Sequence, residues 1–279
     1  MKKHFSTILL VLVFLVGLGV MLYPTVSDAV NRAHQTRAVM DYTSSVEKMS
    51  QQDFSDWFQK AEAYNEALAE DPEALYLPES LPDYGSTLDV TGTGIMGYLS
   101  IPKINVSLPI YHGTEESVLQ IGVGHLEGSS FPIGGESTHA VLSAHRGLPS
   151  SRLFTDLDQL KEGDTFEVTV LDRVLTYEID NISIVLPQEA EGLLVKEGED
   201  LVTLMTCTPY GINSHRLLVR GRRIDGIERI HAVTVTSEAV KLDPVVIAPV
   251  LAAPLLLALL AWLLLTPGKS KKKKGGETE

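Results

Sequence analysis

Two long uncharged apolar runs, one near each end of the chain, dominate its hydrophobic pattern. The first extends from Ser6 to Tyr23 behind a basic start, and the second extends from Val245 to Leu265 ahead of Lys271–Lys274. A helix of about 20 apolar residues spans the hydrocarbon core of a bilayer. The pattern therefore predicts three terminal segments, namely a membrane anchor or signal (1–26), a transmembrane helix (245–265) and a basic tail (266–279).

Lysines flank both apolar runs on the side nearer the chain terminus. Because positive residues mark the cytoplasmic side of a span, we expect a membrane protein with two spans, both termini cytoplasmic and the domain between them extracellular. A cleaved signal peptide is the alternative for the first run. Its length, and the lack of a small-x-small site soon after Tyr23, favour an uncleaved anchor.

Between the runs, the first pattern is helical. From Ser27 to about Asp71 apolar residues recur at helical spacing in a polar background, which predicts a helical stalk or a packing helix over 27–72. Pro72 ends the pattern because proline lacks the N–H that a helix interior needs. Residues 73–93 then hold prolines, glycines and acids without periodicity, so they predict a long loop. Such a loop is either a tether or a lid-like cover over a cleft.

Short β-rich runs separated by turns begin at Gly94. Eight such runs, several with the alternation seen in Thr165–Val170, predict a closed or nearly closed β-barrel, so the fold class is mainly β. Two short helices are expected to interrupt the strands, near 115–120 and 151–160. The pattern places the barrel at 94–225 and a linker to the second span at 226–244.

The charge of the 279-residue chain narrows the possible partners. The formal net charge is −13 although both ends are basic, so the domain between the spans is strongly acidic. An acidic domain disfavours nucleic acids and anionic lipid surfaces as partners. The sequence has no Rossmann or P-loop glycine pattern, no paired CxxC and no cluster of metal ligands. It therefore predicts neither a cofactor nor a metal site.

Cys207 is the only cysteine, and it ends an apolar run just before a Pro-Tyr-Gly turn. Extracellular domains normally use cysteines in disulfide pairs. A lone extracellular thiol is either buried filler or a nucleophile, and the local pattern leaves both open. A second β-like run follows the turn and carries Arg216, which antiparallel pairing would bring near Cys207. A solvated surface charge is an equally good interpretation of Arg216.

A nucleophilic cysteine needs a proton acceptor and a donor for the oxyanion. His145 ends the apolar run 140–144 and opens a turn, and the ends of strands beside loops are where the sites of barrels gather. Spacing favours His145, with His125 in a glycine-rich turn as the main alternative. The other histidines of the predicted barrel are His112, His139 and His215.

At these residues the sequence resembles a known family. Thr203-Leu204-Met205-Thr206-Cys207 resembles the TLxTC signature of the sortases, the membrane-anchored cysteine transpeptidases of Gram-positive bacteria. Further segments are similar to the class C, pilin-polymerising members: Thr208–Gly221, Ile101–Ile104, Gly122–Gly128 and His145–Gly147. The resemblance covers roughly Gly94–Ile224 and extends to the layout with two anchors.

The resemblance implies an eight-stranded barrel with Cys207 as nucleophile, His145 as acid and base, and Arg216 as the residue that orients the substrate and stabilises the oxyanion. It implies cleavage of an LPxTG-like sorting signal between Thr and Gly through a thioacyl enzyme. The expected partners are pilin or surface-protein substrates, an acceptor amine and the membrane, without a cofactor. Attachment of surface proteins to cell-wall precursor is the alternative activity, and a non-catalytic membrane scaffold is the alternative class.

One segment departs from the family pattern. Class C relatives carry a lid with an Asp-Pro-aromatic anchor, whereas here Asp71-Pro72 is followed by Glu73. The loop offers Asp83 and Tyr84 instead. The sequence therefore predicts a lid within 73–93 that is anchored by these two residues.

Overall fold

An eight-stranded barrel forms the centre of the protein. The computed structural model describes residues 2–224 and 252–258. The strands are β1 (Ile95–Ile101), β2 (Val106–His112), β3 (Val123–His125), β4 (Thr138–Ser143), β5 (Thr165–Val170), β6 (Arg173–Val185), β7 (Asp200–Thr208) and β8 (His215–Arg223). They close in the order β1-β2-β3-β4-β7-β8-β6-β5. The predicted mainly β barrel is confirmed.

Most neighbouring strands of the barrel are antiparallel, but β2 with β3 and β4 with β7 are parallel pairs. A parallel pair needs a crossover connection. The chain between β4 and β7 supplies it by forming β5 and β6 on the other side of the barrel. As a result β7, which carries Cys207, lies between β4 and β8. His145 follows β4, and Arg216 lies in β8.

Within residues 2–224, three α-helices accompany the barrel, namely α1 (Lys2–Val46), α2 (Gln51–Glu70) and the single-turn α3 (Glu116–Leu119). The predicted helix near 115–120 is therefore present as α3. The one predicted near 151–160 is reduced to a 3₁₀ turn at Leu157–Gln159. Further 3₁₀ turns lie at Pro72–Tyr76, Pro78–Ser80, Pro102–Ile104 and Glu191–Leu193.

The segment predicted as one stalk or packing helix consists of two helices. The chain breaks after Val46, and Ser50 starts α2 through a capping box in which it exchanges hydrogen bonds with Asp53. The buried residues of α2 recur at helical spacing, and they are Phe54, Phe58, Ala61, Tyr64, Asn65 and Leu68. Both helices bury side chains in the core that fills the barrel, so they pack rather than form a free stalk.

Specific hydrogen bonds join these helices to the barrel. The Tyr42 hydroxyl donates to the carbonyl of Met96 at 3.0 Å and accepts from the N–H of Leu171 at 2.9 Å. The Asn65 amide bonds both the N–H and the carbonyl of Phe131, at 2.7 Å and 3.1 Å. Each of these side chains is buried, so the bonds satisfy backbone groups that water does not reach.

The described residues fall into two units. One runs from Ser27 through β8, and the other holds the part of α1 before Ser27 together with residues 252–258. Among the described residues, Val11–Val46 is the segment long and apolar enough to cross a membrane, which agrees with an N-terminal anchor or signal. Residues 252–258 of the predicted second span are helical. The rest of that span, the linker at 226–244 and the tail at 266–279 lie outside the described residues.

The Tyr42 bridge gives a testable prediction for stability. Tyr42→Phe removes the hydroxyl and leaves the N–H of Leu171 unpaired, so we expect the free energy of unfolding to fall by about 1–3 kcal/mol. The matched control is Tyr76→Phe, because the Tyr76 side chain is exposed. Thermal or denaturant unfolding of the full chain measures both. Equal stability of the two variants would contradict the role given to this bridge.

Candidate active site

Cys207 lies near the end of β7, directly opposite Arg216 on the antiparallel strand β8. Directly opposed residues of a sheet project from the same face, with Cβ atoms about 4.5–5.5 Å apart. The neighbouring Thr206 and Thr208 are buried, whereas Cys207 is half-buried and forms no disulfide. The fold therefore presents the thiol beside a guanidinium on the outer face of the barrel.

His145 reaches the same place from the other side of β7. Strand β4 pairs with β7 in parallel up to Ser143 opposite Met205. Beyond that pair, the Ala144 N–H donates to the Met205 carbonyl at 3.2 Å, and the Thr206 hydroxyl donates to the Ala144 carbonyl at 2.8 Å. The register, continued by two residues, sets His145 level with Cys207. The structure thus brings all three predicted site residues to one end of three adjacent strands.

A carboxylate that the sequence did not single out contacts the imidazole. His145 Nε2 lies 3.0 Å from Glu116 Oε2, on the short helix α3. The pattern indicated the helix, but nothing in it indicated that the turn before β3 would pack beside His145. Hydrogen bonds from Gln120 and then from His145 hold the pKa of Glu116 below its usual value. Glu116 is therefore ionised at neutral pH.

Arg146 ties the loop after β4 to the turn between β7 and β8. Its side chain is 9% exposed, pairs with Asp158, and donates from Nη1 to the Thr208 hydroxyl at 3.4 Å. Its guanidinium carbon lies 6.0 Å from the centre of the Tyr210 ring. The next residue, Gly147, has φ +78° and packs so closely on that ring that a Cβ would lie 2.9 Å from Cε2. Both residues hold His145 beside the turn that follows Cys207.

Arg216 differs from the other arginines of β8. Among the described residues, its guanidinium bonds only the carbonyl of its neighbour His215, at 3.3 Å, and has no carboxylate partner. Arg220 instead pairs with Asp180, and Arg222 pairs with Glu199. Most donors of Arg216 therefore remain available beside the thiol. This is an electrostatic reason to treat Arg216 as part of the site and not as a surface charge.

The alternative histidine, His125, is fully buried. Its Nε2 faces the Ser130 carbonyl at 2.8 Å and its Nδ1 faces the Tyr84 hydroxyl at 2.9 Å. Burial lowers the pKa of His125 to about 3, which keeps the ring neutral. His139 is similar, since burial lowers its pKa to about 4 and its ring nitrogens face Leu194 and Thr203. Both rings have structural partners and neither is free to accept the proton of Cys207.

Known proteins match this chain in sequence and in structure. A family model described as the sortase domain matches residues 99–224. The crystal structure of sortase C1 from Streptococcus agalactiae is 48% identical, with a TM-score of 0.61, over 68% of this chain and 99% of that one. This chain belongs to the sortase family. Sortase C of Clostridium perfringens, solved with the C-terminal cell wall sorting motif, is 41% identical with a TM-score of 0.60, over 68% of this chain and all of that one.

The matching sortase C structures cover more of this sortase than its barrel alone, namely 68% and 71% of the chain. Curated relatives are more distant. Sortase D of Bacillus subtilis is 33% identical over 131 residues, which are 46% of this chain and 63% of the relative. Sortase A of Streptococcus agalactiae is 33% identical over 41% of this chain and 47% of the relative. The chain thus spans less than two thirds of the length of these curated relatives.

The predicted lid anchors lie elsewhere than over the thiol. Tyr84 does fix the loop, but its hydroxyl bonds His125 and the N–H of Gly113, and its ring stacks on Phe131. Asp83 is exposed and accepts a hydrogen bond from Ser86. Neither side chain contacts Cys207. Phe131 and His125 form an aromatic stack on which the Tyr84 ring packs. A Tyr84 ring placed over the thiol would lose this contact.

Another residue of the loop belongs to an apolar cluster that extends to the site of this sortase. Leu75 packs in the outer apolar cluster, which comprises Leu75, Leu126, Val141, Val185, Ala190, Leu193, Met205 and Leu218. Met205 precedes Cys207 by two positions on the same face of β7, and Leu218 follows Arg216 by two positions on β8. The 73–93 segment therefore packs, through Leu75, on a cluster in which Met205 and Leu218 border the thiol.

This packing leads to a prediction about access to the thiol. Leu75→Ser places a hydroxyl in the outer apolar cluster, which loosens the segment, so we expect Cys207 to react several times faster with a small alkylating reagent. Leu77→Ser is the matched control, since Leu77 is 60% exposed. Mass spectrometry of the full chain gives both rates. A common rate for the two variants and the unmodified sequence would rule out a covering role for Leu75.

Proposed function

We propose that this protein is a membrane-anchored class C sortase that polymerises pilin subunits. In this proposal it cleaves an LPxTG-like sorting signal between Thr and Gly and joins the new carboxyl end to a lysine of the next subunit. The observation that carries the proposal is the meeting of Cys207, His145 and Arg216 at one end of β4, β7 and β8. Similarity to sortase C structures, one of them solved with a sorting motif, supports the class of substrate.

The arrangement suits acyl transfer in two halves. The Cys207 thiolate attacks the carbonyl carbon of the Thr–Gly amide, and Arg216 donates hydrogen bonds to the tetrahedral oxygen or to the adjacent substrate backbone. His145 gives a proton to the departing glycine amine, which leaves a thioester on Cys207. The lysine amine of the acceptor then attacks the thioester, gives its proton to His145, and expels the thiolate as the isopeptide bond forms.

The outer apolar cluster offers a place for the apolar part of the signal. It runs along β4, β7 and β8 on the face that carries Cys207, through Val141, Met205 and Leu218. Burial of a Leu or Pro side chain there would align the Thr–Gly bond with the thiol. Because Leu75 occupies part of the cluster, the same surface gives the loop at 73–93 its proposed role as a lid.

Membrane attachment is part of the proposal. We assign residues 1–26 to an anchor, 27–72 to helices that pack on the catalytic barrel at 94–225, and 245–265 to a second span that follows the linker at 226–244. Both termini are then cytoplasmic and the barrel is extracellular. Fixing enzyme and substrate at one surface raises their effective concentration. A pilin whose tail is still in the bilayer would meet the site without a search in three dimensions.

The first functional prediction concerns the nucleophile. Cys207→Ala should abolish thioester formation and pilin ladders, because no other thiol exists in the chain. We expect the variant to keep its fold, since the side chain is half-buried and forms no bond that the fold needs. Ladders on gels, together with unfolding curves, measure the two effects. Ladders that persist in the variant would exclude this role for Cys207.

The acceptor decides between the proposed activity and its alternative. A pilin lysine as acceptor gives ladders, whereas a cell-wall peptide amine gives single surface proteins attached to the wall precursor. Offering both acceptors to the full chain charged with a sorting peptide, and identifying the products by mass spectrometry, separates them. Exclusive use of the wall amine would replace the pilin assignment. Absence of any thioester would favour the non-catalytic scaffold.

The second prediction concerns Arg216. Removal of one oxyanion donor typically lowers kcat by about 10²–10³, so we expect Arg216→Ala to reduce peptide cleavage by that order. Arg222→Ala is the matched control on the same strand, because Arg222 lies at the far end of β8 from the thiol and pairs with Glu199. Steady-state cleavage of a sorting peptide measures both. Similar losses in the two variants would point to general damage of β8.

A further inference from the structure

We propose that Glu116 is a positioning residue that acts through His145, and that Gln35 of α1 holds both of their segments in place. Glu116 Oε2 lies 3.0 Å from His145 Nε2. The inference rests on the proposed function, in that it assigns the imidazole the proton transfers of the sortase reaction. It adds a carboxylate and an amide to the residues on which those transfers depend.

The contact fixes which ring nitrogen does the chemistry. An ionised carboxylate only accepts hydrogen bonds, so Nε2 of His145 must carry a proton toward Glu116. The neutral ring then has its lone pair on Nδ1. Nδ1 takes the proton of the Cys207 thiol, and the resulting imidazolium gives that proton from Nδ1 to the departing amine. Glu116 keeps the ring in this tautomer and its negative charge stabilises the imidazolium between the two transfers.

Glu116 is itself held although its side chain is 65% exposed. Its second oxygen, Oε1, accepts a hydrogen bond from Gln120 Nε2 at 3.0 Å, one turn along the chain. Both oxygens of the carboxylate therefore have a donor, and the oxygen that faces His145 cannot rotate away without breaking a bond. The neighbouring Glu115 makes no such contact with the imidazole and supplies a natural comparison.

Gln35 connects the two segments that carry the pair. Its Nε2 donates to the carbonyl of Ile121, just after α3, at 3.0 Å, and contacts the hydroxyl of Ser151, in the loop after His145, at 3.3 Å. The side chain is only 6% exposed. A buried amide that bridges two loops costs desolvation unless both bonds form, so it strongly favours one arrangement of them.

The same helix makes further bonds to the loop after His145. Asn31 Nδ2 donates to the carbonyl of Ser150 at 2.8 Å, and the N–H of Arg152 donates to the carboxylate of Asp28 at 2.9 Å. Three successive polar positions on one face of α1 thus fix this loop, but only Gln35 also reaches the segment of Glu116. Loss of the Gln35 amide should therefore displace Glu116 and His145 relative to each other.

The first experiment measures cleavage of a sorting peptide by the full chain in detergent, with Glu116→Gln, Glu116→Ala and the control Glu115→Gln. We expect kcat to fall by about tenfold in Glu116→Gln and by at least as much in Glu116→Ala, with KM unchanged, since an exposed charge is partly screened. Glu115→Gln should match the unmodified chain. A loss confined to KM, or equal kcat values for Glu116→Gln and Glu115→Gln, would overturn the proposal.

A spectroscopic measurement separates positioning from a purely structural role. Nitrogen NMR of the histidine rings reports which nitrogen of His145 carries the proton in the neutral state. We expect Nε2–H in the unmodified chain and a mixture of tautomers in Glu116→Ala. Unfolding curves should coincide, because an exposed ion pair contributes little to stability. An unchanged tautomer in Glu116→Ala would contradict the proposal even if kcat fell.

The role of Gln35 is tested by a double-mutant cycle. Gln35→Met keeps the length of the side chain and removes the donor, and Gln52→Met is the control on the exposed part of α2. If Gln35 acts through the pair, kcat falls in Gln35→Met, and the double variant with Glu116→Ala is no slower than Glu116→Ala within about twofold. Effects that multiply would show that Gln35 acts independently of Glu116.

The cleavage assay also distinguishes a failure of the positioning role from a failure of the proposed function. An unmodified chain that does not cleave the peptide, or a Cys207→Ala variant that does, contradicts the sortase activity itself. An active chain in which the Glu116 variants behave like Glu115→Gln contradicts only the positioning role.

Discussion

The register of β7 between β4 and β8 is the constraint on which the site depends. Side chains alternate between the two faces of a strand, so a slip of one residue would turn Cys207 inward and Thr206 outward. The buried residues Val202 and Leu204 prevent this slip, because it would expose both of them. The apolar half of β7 therefore determines where the Cys207 thiol lies. The burial that stabilises the barrel also aims the thiol.

The parallel pairing of β4 with β7 has a further consequence for catalysis. Parallel strands end at the same edge, so residues at or just beyond the carboxyl end of each strand lie near the same rim. His145 and Cys207 are therefore level although they are distant in the sequence. Arg216 also lies at the height of Cys207, because a short turn joins β7 to the antiparallel strand β8. His145 and Arg216 therefore reach the same rim because β7 pairs with β4 on one side and with β8 on the other.

Much of this could be predicted from sequence, for identifiable reasons. The alternation in runs such as Thr165–Val170 depends only on local burial, and it predicted the barrel correctly. Cys207 and Arg216 lie in adjacent strands joined by a tight turn, so their proximity follows from a single pairing. Spacing favoured His145 over His125, but only the family resemblance decided between them, because spacing along the chain does not show that Ser130 and Tyr84 occupy the ring nitrogens of His125.

The features that could not be predicted depend on contacts between distant segments. Tyr84 was expected to anchor a lid together with Asp83, and a buried aromatic stack of His125 and Phe131 provides a partner for both its ring and its hydroxyl. Leu75 was not singled out, because one leucine in an aperiodic loop carries no signal of what it covers. Glu116 could not be singled out either, since the adjacent Glu115 is chemically identical and only the packing of α3 distinguishes the two.

Arg216 differs from the other outward-facing arginines of β8 in having no carboxylate partner among the described residues. Its neighbours on the same face, Arg220 and Arg222, follow the usual pattern in which a partly buried charge finds a carboxylate. An acid opposite Arg216 would gain an ion pair, but it would also occupy the donors that face the thiol and add negative charge beside a developing oxyanion. In the proposed reaction, a free guanidinium at this position would stabilise the fold less than a paired one and stabilise the transition state more. The same reasoning applies to Glu116, which contacts His145, where the proposed reaction develops positive charge, and not Arg216, where it develops negative charge.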